Sequence, residues 1–174
     1  MATRKSNHDQ FYEMFVDELR DLYSAENQIV EALPKMAQAS TTKDLKEAFR
    51  AHLSETKNQV RRLEEIFSIL GEQPSGEVCK GMQGLIAECE EVINHKHPDF
   101  IVDAELINKA QRIEHYEIAA YGTLKTFAHH LNFDQVEDLL DTTLDEESNA
   151  NELLTSIAEG GWLTTGINAQ AVQA

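Results

Sequence analysis

Apolar residues recur at spacings of three and four along four long stretches of the chain, the signature of helices with one buried face. The first stretch runs from about Asp9 to Ala39 and carries Phe11, Phe15, Leu19, Leu22, Ile29, Leu33 and Ala37 on one line. The second, from about Thr42 to Leu70, carries Leu45, Phe49, Val60, Leu63, Ile66, Phe67 and Leu70. A third runs from about Asp103 to His130, and a fourth from about Asp134 to Ala158. Ser40-Thr41-Thr42 and Asn132-Phe133-Asp134 supply capping residues at two short joints, so each pair of stretches is expected to close as an antiparallel hairpin. Gly71 to Gly76, with Pro74, ends the second helix, and a shorter helix from about Lys80 to Asn94 fills the passage to the third. The pattern predicts an all-α chain: an antiparallel four-helix bundle over residues 1–160, with a short extra helix in the crossover. Residues 161–174 are expected to form an irregular tail, with Trp162 packing back onto the bundle.

The two hairpins are one pattern written twice. Shifted by 91 residues, Phe15 falls on Leu106, Leu33 on Leu124, Leu45 on Val136, Phe49 on Leu140 and Leu63 on Leu154. Any two amphipathic helices share some apolar positions. Here two glutamates keep the same register, Glu26 falling on Glu117 and Glu55 on Glu146.

Those glutamates sit where apolar residues belong. At about 100° per residue, Glu26 points along the middle of the first stripe, between Leu22 and Ile29, and Glu117 is as central on the third, between Ile113 and Tyr121. Glu55 and Glu146 lie toward the flanks of their stripes, still on the buried side. Glu147 is nearer the centre than Glu146, so the fourth helix offers two candidates. A buried carboxylate must neutralise, pair or bind metal. Arg20, Lys35, Lys57, Arg61 and Arg62 all map to other sides of their helices, so basic partners are missing. His52, one turn before Glu55, and Glu114, one turn before Glu117, can reach the same cavity, whereas His115 points off the stripe. The expected ligands are therefore Glu26, His52, Glu55, Glu114, Glu117 and Glu146, an oxygen-rich set suited to two hard divalent cations such as iron or manganese. A lone histidine on an apolar face is more often a core residue, and Glu64, Glu65, Glu88, Glu90 and Glu91 read as ordinary solvated positions.

Composition narrows the classes further. A net charge of −16 argues against nucleic acid and is compatible with attracting cations. No stretch approaches the roughly 20 apolar residues of a membrane span, and Met1–Gln10 is polar, so neither a span nor a secretory signal is expected and the location is expected to be cytoplasmic. Cys79 and Cys89 read as free thiols. There is no glycine-rich phosphate loop and no nucleophile beside a base.

Several of these residues carry a resemblance over nearly the whole chain. Asp17-Glu18-Leu19 with Tyr23 and Glu26, His52-Leu53 with Glu55-Thr56, Gly84-Leu85-Ile86, Gln111 with Glu114-His115-Tyr116-Glu117, and Leu144-Asp145-Glu146-Glu147 together resemble the YciE/YciF group of stress proteins. That resemblance implies a ferritin-like bundle, often a homodimer, linked to bacterial stress. The wider ferritin-like superfamily carries Glu-x-x-His on its second and fourth helices. Here Asn58 and Asn149 stand where those histidines are expected, so the site is expected to be richer in carboxylate. Glu114-x-x-Glu117 resembles the extra acidic ligand of rubrerythrin-type third helices. The first functional expectation is a dinuclear centre handling iron, oxygen or peroxide, with Tyr23 or Tyr121 buffering stray oxidants. The second is a non-catalytic stress protein on a decayed scaffold, and the third a hollow iron-storage shell.

Overall fold

A computed structural model describes residues 5–95, 97–161 and 164–173. Trp162, expected to pack back onto the bundle, lies outside them. Helix α1 spans Asn7–Ala39 and α2 spans Lys43–Leu70. Ser6 opens α1 with a capping box: its side chain accepts from the Asp9 backbone N–H, and the Asp9 carboxylate accepts from the Ser6 N–H. Gly71 closes α2 with φ at 70°, the left-handed conformation that glycine adopts most readily. Helix α3 spans Lys80–Asn94, α4 spans Asp99–His130 and α5 spans Asp134–Glu159. Asn132, with φ at 61°, makes the tight turn between α4 and α5.

Cross-helix contacts give the topology. Thr41, past the end of α1, meets Asp103 near the start of α4; Glu26 meets Tyr121 mid-helix; and Phe11 packs against Phe127 at the far end. Helices α1 and α4 are therefore antiparallel. Arg62 reaching Thr143 and Gln59 reaching Glu146 and Glu147 set α2 against α5 in the same sense. Helices α2 and α4 thus run in the same direction, and the chain must cross the full bundle between them. Helix α3 lies in that crossing and packs on α1 and α4. The core is one cluster from all the long helices, including Phe15, Leu19, Phe49, Leu63, Leu106, Leu124 and Leu140.

Two departures from the sequence pattern stand out. Helix α4 begins at Asp99, a turn earlier than expected, because Pro98 supplies the fixed φ of an opening residue. Asp103 therefore lies inside the helix, fully buried, where its carboxylate accepts the Thr41 and Thr42 backbone N–H groups at 2.7 and 2.8 Å. The Thr42 side chain makes no cap of its own, so α4 caps α2 from outside. The tail, expected to be irregular, instead forms a two-residue antiparallel pair, β1 (Gly160–Gly161) with β2 (Thr164–Thr165), then helix α6 (Ile167–Gln173). Ile167 is buried, and α6 packs on α4 and α5. Gly160 and Gly166 permit the reversal: a Cβ on Gly160 would stand 2.3 Å from the Gly166 nitrogen.

Candidate metal centre

Near the midpoints of α1, α2, α4 and α5, the apolar stripe is interrupted by acidic side chains and one imidazole. Glu26 and Glu147 are 0% exposed, Glu117 1%, Glu114 2% and His52 6%. One ligand atom from each of His52, Glu114, Glu117 and Glu147 lies within 4.8 Å of every other. His52 Nε2 is 3.4 Å from Glu114 Oε1 and 3.8 Å from Glu147 Oε2, while Nδ1, on the opposite side of the ring, is 3.6 Å from Glu55 Oε2. Glu26 completes the group from α1, its Oε1 accepting a hydrogen bond from the buried Tyr121 hydroxyl.

The electrostatics follow from this crowding. Burial, reinforced by the charge of Glu147, pushes the Glu26 carboxyl up to about 8. Burial and neighbouring carboxylates raise Glu114 and Glu117 well above the ordinary range. Burial opposes charging of His52, but Glu114, Glu55, Glu147 and Glu26 outweigh it and carry the ring up to about 10. Tyr121 is raised by burial and by Glu26.

Much of the cluster lacks partners. Glu26 Oε2, both His52 nitrogens, Gln59 Oε1, Glu114 Oε2, both Glu117 oxygens and Glu147 Oε2 are buried with no hydrogen bond. Unmade hydrogen bonds of this kind are rare in folded proteins and costly where they occur. Among the described residues, no lysine or arginine reaches these oxygens. The donor set, mostly carboxylate with one imidazole, fits hard divalent cations.

The structure brings Glu26, His52, Glu114 and Glu117 together. Glu55 stands half exposed at the rim, and the adjacent His52 ring holds its carboxyl below the ordinary range. Glu146 turns outward, bound by both Arg62 amino groups at 2.9 Å, and Glu147 takes the inner position on α5. The expectation that Arg62 faces elsewhere is thereby corrected: its long side chain bends across to α5 and also donates to Thr143. Sequence reasoning missed Gln59, which is fully buried and donates to both Glu147 and Glu146. Its position two turns after His52 on the same helix face was the available signal. Tyr23 lies away from the cluster, bonded to Glu64, and His115 is exposed. The repeat carries Glu26 onto Glu117 inside the cluster and Glu55 onto Glu146 outside its centre, but the inward His52 and Glu147 have no counterpart, since Thr143 and Thr56 stand at the equivalent positions.

Two antiparallel hairpins and a crossover along the bundle define a ferritin-like fold. The bacterioferritin-related dodecameric thioferritin of Bacteroides fragilis shares that fold at a TM-score of 0.65 and 17% identity, over 83% of each chain. The chain belongs to the family described as a domain of unknown function, DUF892, which it matches over residues 10–171. It is 41% identical over 147 residues to Protein YciF of Escherichia coli, covering 84% of this chain and 89% of that protein. The crystal structure of that stress protein matches at a TM-score of 0.82, over 90% of this chain and 94% of its own. YcfI of Rhodopseudomonas palustris matches at 0.83 with 39% identity, over 90% of this chain and 99% of that one.

Proposed function

We propose that the protein is a cytoplasmic stress-response protein that binds two divalent ions, iron or manganese, in this carboxylate-rich centre and handles iron, oxygen or peroxide there. The convergence of unpartnered buried atoms on His52, Glu114, Glu117, Glu147 and Glu26 carries the reading. The first four residues would hold one ion, and Glu26 with Glu117 and Glu147 the second. The bound ions would supply redox chemistry; the chain's own groups orient, insulate and move protons. Gln59 fixes Glu147 through its amide N–H, leaving the other Glu147 oxygen free to face an ion. Tyr121 orients Glu26 by donating its hydroxyl proton to Oε1. Phe49, Leu22, Ile29 and Leu124 surround the centre's helices with apolar side chains that limit access of bulk water.

The test is elemental analysis of untagged protein never exposed to chelator. About two iron or manganese ions per chain, the number a ferritin-like dinuclear centre holds, supports the reading. No metal after anaerobic reloading with ferrous iron refutes it. That outcome would favour a non-catalytic scaffold, a reading supported by Asn58 and Asn149 standing where histidine ligands are expected. We also propose a homodimer as the working form; a monomeric mass by light scattering would refute it, and a mass of many chains would revive the storage shell.

A further inference from the structure

An opening of about 120 Å³ lies between α2 and α5 and reaches the cluster. Small residues, Ala51 on one helix and Ala150 on the other, line it and leave it unfilled by side chains. Asn149 and Glu55 stand at its mouth, and His52 and Glu114 form its inner end. Four other cavities on the bundle surface are lined by none of the cluster residues.

Within this opening, donor atoms form a file from solvent to the interior. The Glu55 side chain is 50% exposed, and its Oε2 lies 3.6 Å from His52 Nδ1. The far side of the ring presents Nε2 to Glu114 at 3.4 Å and to Glu147 at 3.8 Å. These separations exceed hydrogen-bond length, and both ring nitrogens lack a partner although the residue is 94% buried. Once an arriving cation displaces its proton, this imidazole offers one lone pair midway between an exposed carboxylate and two buried ones. The remaining lining, Ala48, Phe49, Ala51, Ala150, Leu153 and Leu154, is apolar, so Asn149 at the mouth is the other polar side chain on the way.

We propose that divalent cations enter the centre through the α2–α5 opening, captured at its mouth by Glu55 and passed inward by His52, a role that rests on the metal-binding reading above. Glu55 is thus an uptake residue and not a resident ligand.

Uptake of Co²⁺ by the metal-free full chain, followed by stopped-flow absorbance, tests this. Glu55→Gln keeps the shape and removes the charge; Ala150→Leu fills the opening. Glu55→Gln is expected to slow association about tenfold and to flatten its dependence on ionic strength, as loss of a steering charge does. Ala150→Leu is expected to slow association and release together, with the final Co²⁺ stoichiometry unchanged. Parental rates in both variants would overturn the opening as the route while leaving the centre intact. Faster release from Glu55→Gln with unchanged association would make Glu55 a resident ligand and overturn its uptake role. A parent protein that takes up no Co²⁺ would overturn the metal-binding reading and the route with it, so the two failures are distinct.

Discussion

Replacing Glu117 with methionine should make the metal-free protein more stable and the metal-treated protein comparatively less so. Both Glu117 oxygens are buried without a hydrogen bond, and burial holds the carboxyl in its neutral form. An unsatisfied buried polar group costs about 1–3 kcal/mol. Methionine is unbranched, suits a helix and fills similar space, so Glu117→Met should relieve about 2 kcal/mol of that cost. In a chain of this size each kcal/mol moves the melting temperature by about 2–4 °C, which predicts a rise of about 4–8 °C in the presence of chelator. A ligand at a hundredfold excess over its Kd stabilises by about 2.7 kcal/mol. Saturating Mn²⁺ should therefore lift the parent by about 5–11 °C and leave the variant nearly unmoved, closing or reversing the gap. Scanning calorimetry of both proteins, with EDTA and with Mn²⁺, reads all four values. A variant that melts below the parent in EDTA, while both respond equally to Mn²⁺, would refute the reasoning, because Glu117 would then be satisfied by protein and idle toward metal.

Gln59→Leu removes the amide that holds Glu147, and should weaken Mn²⁺ binding about tenfold by calorimetric titration with stoichiometry retained. Asp103→Ala strips two charge-assisted hydrogen bonds from the start of α2 and should cost about 3 kcal/mol in urea unfolding, with metal stoichiometry unchanged. Stability of the metal-free protein should fall as pH rises. Glu26 binds its proton more tightly folded than unfolded, so its contribution declines from 4.5 to about 8, and that of His52 declines from 6.5 to about 10. Melting temperatures in EDTA at pH 6 and pH 8.5 check this, and equal values would contradict the assigned burial.

Much of the architecture is legible in the hydrophobic period, since the stripes set which faces meet and the two short joints force hairpins. The central positions of Glu26 and Glu117 follow from the same geometry, because both the angle on the helix and the stripe are local properties. The contest between Glu146 and Glu147 is different. Both angles fall on the inward half, and the decision comes from Arg62 on another helix, whose reach depends on inter-helix distance and side-chain length. Gln59 is hidden for a related reason: a neutral amide at the edge of a stripe raises no electrostatic alarm until two carboxylates stand beside it. The cap that Asp103 provides to α2 and the docking of α6 through Ile167 are likewise contacts between segments far apart in sequence. A single helix carries no trace of them.

Two copies of one hairpin related by an axis make a site with no front or back, and either end would serve an arriving ion equally. This bundle keeps the repeat in its apolar frame and in Glu26 and Glu117, yet departs from it where Thr143 stands at the position equivalent to His52 and Thr56 at the position equivalent to Glu147. The imidazole and the opening fall on the same side. On the two-ion reading proposed above, this would give the centre a heading, with one position nearer the opening and one deeper, beside Tyr121 and Glu26. Symmetry in the frame gives the bundle its simple packing, and the broken symmetry at the centre makes its two halves chemically different.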